Sequence, residues 1–378
     1  MSTTPTARRR PLRSLLEPAL VPLLAIVVAM ITGSIVMALA GANPLEGYGA
    51  LFSGAFGSPA RFAQTLGRSI PFIFAALAVT LGFKAGLFNI GAEGQLLMGA
   101  LGAAWAGTWS WVAPLPALVA VTVVLAVAFL FGMVWGGVPG LLKARTGAHE
   151  VITTIMLNAV AVRLVEFLVN SRNPVILLDE TASVPHTRAI APSARLPLLF
   201  EGTALHFGFV LALVLCGLVW FMLYRTTPGF EIRTVGLNAD AARYAGMNVS
   251  ATVVLVMALS GAIAGLAGGA EVTGGPQGYL TAGIFRNIGF DSIAIALLAR
   301  GNPIAVVPAA VLWGSLLSGA PQMQLEAGLS IDIVRIVQAL IILFVAADVI
   351  VRTLFRLRRG RPGDAEGGTI FATGWGSG

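Results

Sequence analysis

The chain has 378 residues, 57% of them hydrophobic and 11% charged, with mean hydropathy +0.86 and a formal charge of +7. A soluble domain carries roughly a quarter charged residues, so a soluble enzyme is excluded and the composition is that of a polytopic membrane protein. The single Cys216 allows no intramolecular disulfide, and His149, His186 and His206 lie too far apart for metal-ligand spacing, so neither a metal nor a cofactor is expected.

A helix needs about 20 apolar residues to cross a bilayer. On that scale the predicted spans are 15–40, 64–83, 88–112, 114–142, 148–169, 206–224, 249–272, 287–300, 303–320 and 331–351, ten in all. The basic start followed by an apolar run resembles a signal peptide, but 15–40 is too long for an h-region and has no convincing cleavage site. Long continuous runs also argue against a β-barrel. With the N-terminus inside, 16 of the 24 Lys and Arg residues fall on cytoplasmic segments, as the positive-inside rule requires. Trp105, Trp109 and Trp111 then mark the outer end of the third span. The predicted architecture is an all-α polytopic membrane protein of about ten transmembrane helices with both termini cytoplasmic. Residues 1–14 form a basic cytoplasmic N-terminus, 15–351 the membrane domain, and 352–378 a basic, then Gly-rich, cytoplasmic tail. The Pro-rich outer loop 170–205 is expected to form a small ordered cap, and the loop 225–248 lies inside.

Gly86-Leu87-Phe88-Asn89-Ile90-Gly91-Ala92-Glu93-Gly94-Gln95 interrupts an apolar stretch with three glycines and three polar side chains. Buried polar groups in hydrocarbon are costly unless paired. Asn89, Glu93 and Gln95 are therefore either contacts on a substrate pathway or groups tied to a neighbouring helix or to Lys84. An echo at Asn287-Ile288-Gly289-Phe290-Asp291 opens the eighth span, as the first opens the third. With five spans per half this is the pattern of inverted five-helix repeats, and it nominates Asp291. Asn158, near mid-membrane in the helix that starts at His149-Glu150, is a further pathway candidate. Arg163 with Glu166, and Asp332 with Arg335, have i,i+3 spacing and read as ion pairs on one helix face. Glu271 ends a span in which Gly261, Gly265, Gly268 and Gly269 permit close helix packing.

In the inner loop, Asn238 suits an N-cap, Asp240 the first turn and Gly246 a stop, after a Pro228-Gly229 turn. A short self-capped helix there reads as a docking knob, with Leu237, Ala241 and Tyr244 giving shape and Arg243 charge. The alternative is a helix resting on the membrane surface. No G-x-x-x-x-G-K-[S/T] occurs, so ATP binding through a P-loop is not expected of this chain.

Phe88 to Gln95, His149 to Asn158 and Gly236 to Gly246 together resemble the permease subunits of bacterial ABC importers, in the branch shared with ribose and branched-chain amino-acid permeases. Within it, the Asn-Ile-Gly-Ala-Glu-Gly-Gln wording is similar to nucleoside (guanosine/purine) permeases that work with basic-membrane-protein-type binding lipoproteins. The resemblance implies a transport subunit rather than an enzyme. Its implied partners are a second, usually different, permease chain, a separate ATP-binding cassette subunit that hydrolyses ATP, and an extracytoplasmic substrate-binding protein. It implies location in the bacterial cytoplasmic (inner) membrane among lipid, with no nucleic acid. Asn89, Glu93, Gln95, Asn158 and Asp291 would line the pathway. Gly236, Leu237, Asn238, Ala241, Arg243, Tyr244 and Gly246 would couple it to the ATPase. A simple-sugar permease of the same architecture, and an ion-coupled secondary transporter, are the alternatives.

Overall fold

The computed structural model describes residues 12–346, apart from 282, 284–286 and 329. Most of the basic N-terminus (1–11), the tail 352–378 and the end of the tenth predicted span (347–351) lie outside the described residues. The helices are α1 (Leu12–Leu39), α2 (Pro44–Phe56), α3 (Pro59–Lys84), α4 (Ala92–Gly107), α5 (Ala117–Thr146), α6 (Glu150–Asn170), α7 (Gly208–Arg225), α8 (Thr227–Leu237), α9 (Ala239–Tyr244), α10 (Val249–Gly274), α11 (Ile288–Leu298), α12 (Val306–Ala327) and α13 (Ile331–Ala346). Among the described residues, extended pairing is limited to isolated bridges. The protein is all-helical.

Each predicted span contains a helix, but the lengths differ. By length and hydropathy α3, α5, α6, α7 and α10 suffice to cross a membrane, and the α1–α2 pair, bent by 119°, makes a sixth. Helices α4, with 16 residues, and α11, with 11, fall short of the roughly 20 a crossing needs. α2 lies outside every predicted span. Asn43 caps it by accepting the Leu45 N–H, and Pro44 occupies the first turn, where an N–H needs no helical partner. Ser58 and Pro59 repeat the arrangement at the start of α3.

α10 lies at the centre, between α4, α5 and α3. Between apolar helices in lipid little hydrophobic drive remains, so close approach of small residues supplies the packing. Gly261 and Gly265 face Gly132 and Gly136 of α5, while Gly265 and Gly268 also meet the α4 backbone at Gly99, Leu96 and Ala100. A Cβ on Gly265 would stand 2.5 Å from Ala128 O. A second apolar cluster joins α1, α2, α12 and α13 through Met37, Leu51, Met323 and Val337, and Tyr48 Oη donates to Met30 O at 2.8 Å across the α1–α2 bend.

Residues 171–207, between α6 and α7, fold as a cap against the end of α10. Its backbone joins the end of α10 and the strand-like stretch after it: Leu196 N donates to Thr273 O, and Thr187 N to Leu280 O, each at 2.9 Å. Arg195 Nη2 donates to Gly275 O and Pro276 O, both at 2.8 Å. α8 and α9 stand at the other end of α7.

Gly265→Ala is expected to lower the thermal unfolding midpoint in detergent by several degrees, because overpacking a filled seam costs about 1–3 kcal/mol. Gly217, with open space at its Cβ position, serves as the control. An equal midpoint for Gly265→Ala and wild type would show that the seam has slack.

Candidate functional site

The stretch from Gly86 to Gln95 forms a turn and the start of α4. The chain reverses at Gly86 (φ +69°), and Gly91 stands at the N-cap of α4 with no side chain to accept the free N–H groups of the first turn. Other residues accept them. Asn89 Oδ1 takes the Gly91 N–H and Asn158 Oδ1, from α6, takes the Gly94 N–H, each at 2.9 Å. The Asn158 amide donates in turn to Ile90 O at 2.8 Å. Asn89 and Gln95 exchange two bonds, Nδ2 to Oε1 at 2.9 Å and Nε2 to Oδ1 at 3.0 Å. Asn89 also donates to Ser260 Oγ at 2.8 Å, and that hydroxyl donates to Ala78 O at 2.7 Å. Asn89, Gln95, Asn158 and Ser260 are all buried. Each polar group has an answer inside the bundle.

Glu93 points to a different neighbour. Its Oε1 accepts the Asn287 N–H at 2.9 Å and its Oε2 the Gly289 N–H at 2.6 Å. Asn287, at φ +69°, begins α11 without a side-chain cap of its own. Glu93 therefore caps α11 from another helix, at the end where the helix dipole favours negative charge. A Cβ on Gly289 would collide with Glu93 N. The two Asn-Ile-Gly stretches singled out in the sequence thus touch, and the N-termini of α4 and α11 abut.

Asp291, one turn further along α11, lines a cavity of about 530 Å³, within the range of about 300–1,000 Å³ typical of small-molecule sites. The walls come from α3 (Arg68, Pro71, Phe72), the last turn of α10 (Glu271), α11, α12 (Trp313, Leu317) and α13 (Arg335), together with Ala204 and His206 of the cap. Trp313 Nε1 donates to Asp291 Oδ2 at 3.3 Å. Arg68 Nη1 donates to Leu317 O at 2.7 Å, and Arg335 pairs with Asp332 at 3.1 Å. Pro71 has no N–H, which leaves the Gly67 carbonyl beside the cavity without its helical donor. Two carboxylates and two guanidinium groups balance in charge, and the Phe72 and Trp313 rings give flat apolar surface. Of the five residues predicted to line a pathway, Asp291 alone is in this wall. Arg68, Trp313 and His206 were missed as site residues, and Glu271 was noted only as the end of a Gly-rich helix. Its signal is an acid in the last turn of an apolar helix with no basic residue three or four positions away.

The ion pairs expected from spacing are present, Arg163–Glu166 at 2.7 Å and Arg335–Asp332 at 3.1 Å. In the other loop, Pro228-Gly229 is not a turn but the first turn of α8, where Thr226 Oγ1 accepts the Gly229 N–H at 3.3 Å and Pro228 needs no partner. α9 is self-capped: Asn238 Oδ1 accepts the Ala241 N–H at 2.9 Å, Arg243 pairs with Asp240 at 3.0 Å, and Gly246 follows at φ +82°. Leu237, Asn238, Ala241, Arg243, Tyr244 and Gly246 are exposed, Tyr244 to 98%. Gly236 instead packs inward, so that a Cβ there would collide with Lys84 O.

Residues 61–346 match the family described as the permease component of the branched-chain amino acid transport system. The chain is 39% identical over 340 residues to a guanosine ABC transporter permease protein of Bacillus subtilis, covering 89% of this chain and 95% of that one. It is 36% identical over 341 residues to a nucleoside ABC transporter permease protein of Lactococcus lactis (89% and 92% covered). It is also 34% identical over 365 residues to a glucose ABC transporter permease protein of Haloferax volcanii (92% and 93%).

Glu93→Ala is expected to destabilise the protein by on the order of 3 kcal/mol, since two buried N–H groups lose a charged acceptor. Glu93→Gln, which keeps one acceptor oxygen, should cost less. Thermal unfolding in detergent reads both. A wild-type midpoint for the alanine variant would show that the α4–α11 junction does not depend on this carboxylate.

Proposed function

This chain belongs to the permease family of the branched-chain amino acid transport system, and on that premise we propose that it is the membrane subunit of an ATP-driven ABC importer that carries nucleosides. The observation that carries the substrate class is the cavity. It is balanced in charge, walled by two aromatic rings and supplied with both donors and acceptors. A nucleoside is neutral, with a flat base and hydroxyl groups. A nucleotide would bring a phosphate charge of about −1.5 to −2, which this wall does not offset. Similarity to relatives named for guanosine and nucleoside transport supports the same reading. A simple sugar is the second reading, favoured by the similarity to a glucose permease, because aromatic faces also stack on sugar rings. Family membership removes the ion-coupled secondary transporter.

In this proposal Asp291 contacts substrate in the cavity, while Asn89, Glu93, Gln95 and Asn158 hold the helix N-termini that shape the pathway. α9 is the coupling helix. Leu237, Asn238, Ala241, Arg243 and Tyr244 form the exposed face that docks in a separate ATP-binding cassette subunit, with Gly236 seating it on the α3–α4 turn and Gly246 ending it. The grouping of Lys84, Lys143, Arg225 and Arg233 with α8–α9 at one end of the bundle supports a cytoplasmic position for that end. The cap over 171–207 then faces outward, where an extracytoplasmic binding protein delivers substrate. A second permease chain completes the pathway in the bacterial inner membrane. Transport follows if ATP and loaded binding protein favour different states of the pair.

Cells carrying the complete transporter should take up labelled guanosine, and adenosine, uridine, ribose and glucose as competitors rank the substrate classes. Competition by glucose or ribose, with none by any nucleoside, would replace the nucleoside reading with the sugar one. Tyr244→Ala should abolish uptake and release the ATPase subunit on co-purification. It should leave the unfolding free energy within about 0.5 kcal/mol of wild type, as for other exposed substitutions. Full uptake in that variant would remove α9 from the coupling role.

A further inference from the structure

The geometry points to Glu271 as the residue that selects the substrate: its carboxylate accepts two adjacent hydrogens of the nucleoside, offered either by neighbouring N–H groups on a base edge or by the vicinal diol of the ribose. This rests on the nucleoside reading above. Glu271 stands in the last turn of α10 and lines the cavity. Among the described residues nothing donates to its carboxylate or pairs with it. Its helical neighbours at three and four positions are Ala267, Gly268, Gly274 and Gly275, which carry no side-chain donor.

Three physical costs meet at this position. The carboxylate is half-buried in a membrane-type bundle. It lacks a hydrogen-bond partner among the described residues. It also occupies the partially negative C-terminal end of its helix, where an acid is disfavoured. The other charged groups of the wall are answered by protein: Asp291 by Trp313, Arg68 by the Leu317 carbonyl, and Arg335 by Asp332. Glu271 keeps its acceptor capacity unused, facing a space large enough for a ligand.

A carboxylate presents two parallel oxygens and binds two parallel donors at once. Guanine offers such a pair in N1–H and its 2-amino group, and ribose offers the 2′- and 3′-hydroxyls. Adenine instead sets an amino group beside a ring nitrogen that is itself an acceptor, and two acceptors facing each other repel. Losing a charge-assisted bond of this kind lowers binding on the order of 10- to 100-fold.

The test uses the complete transporter reconstituted in proteoliposomes, with initial uptake of guanosine, adenosine and 2′-deoxyguanosine compared for wild type and Glu271→Gln. The binding protein is the same throughout, so a changed ratio arises in the permease. A carboxamide offers one donor and one acceptor and matches the adenine edge. If the base edge is read, the guanosine-to-adenosine ratio falls 10- to 100-fold in Glu271→Gln. If the diol is read, the guanosine-to-2′-deoxyguanosine ratio falls toward one while the base preference stays. Basal ATP hydrolysis checks assembly. Should the glutamine variant fail to assemble, Glu271→Asp, which withdraws the carboxylate by one methylene, should shift the same ratio in the same direction by a smaller factor. Both ratios unchanged, with wild-type guanosine uptake intact, would overturn the role of Glu271 and leave the nucleoside reading standing. No nucleoside uptake by the wild type would overturn that reading and this inference together.

Discussion

Inside an apolar bundle the N–H groups that begin a helix have no water to bind, and two helices of this chain begin there. α4 starts at Ala92 behind a glycine cap, and α11 starts at Ile288 behind Asn287. Their free donors must be met by side chains brought from elsewhere. Glu93 is the centre of the solution, because it belongs to one of these helix starts and caps the other. The same demand explains the amides: Asn158 answers Gly94, Asn89 answers Gly91, and Gln95 and Ser260 satisfy what remains of Asn89. Remove this junction and neither short helix has a reason to begin where it does.

That junction also lies between the exposed α9 helix and the cavity. Gly236 of α8 is seated on the α3–α4 turn at Lys84 to Gly86. Two residues on, the Phe88 N–H donates to Glu150 at 3.4 Å, and Glu150 is paired with Lys143 of α5. Asn89 and Glu93 follow, and across Glu93 stand Asn287 and Ile288 in the cavity wall. Packed contacts therefore run without a gap from the exposed α9 knob to the cavity. A contiguous path of this kind is a physical means of coupling, provided that its members have two arrangements that the sites at either end can bias.

The surroundings of the path are rigid for a different reason. α10 is held against α4 and α5 by backbone approaching backbone at glycines, where no side chain can yield. At its far end the cap is tied to Thr273, Gly275 and Pro276, immediately beyond Glu271. A close-packed frame of this sort keeps an unanswered carboxylate in place, since neither helix nor cap is free to fold over it.

Much of this was legible in the sequence because it is local or compositional. The helical membrane class follows from the scarcity of charge. The ten helical segments, the glycine seam, the i,i+3 ion pairs and the capped α9 follow from spacings of a few residues. α2 was overlooked because its 13 residues are too few to span a membrane, although Asn43-Pro44 and Ser58-Pro59 mark its ends. Pro228-Gly229 was misread because a proline suits the first turn of a helix as well as it suits a turn. The sequence also marked Asn89, Glu93, Gln95 and Asn158 as polar groups that an apolar bundle must account for. Only the tertiary structure decided that they answer one another and the backbone, and that nothing among the described residues answers Glu271. Hydrogen-bond satisfaction depends on distances between segments such as 93 and 289, and the cavity is walled by five helices and the cap. Neither property is written in any local stretch of chain.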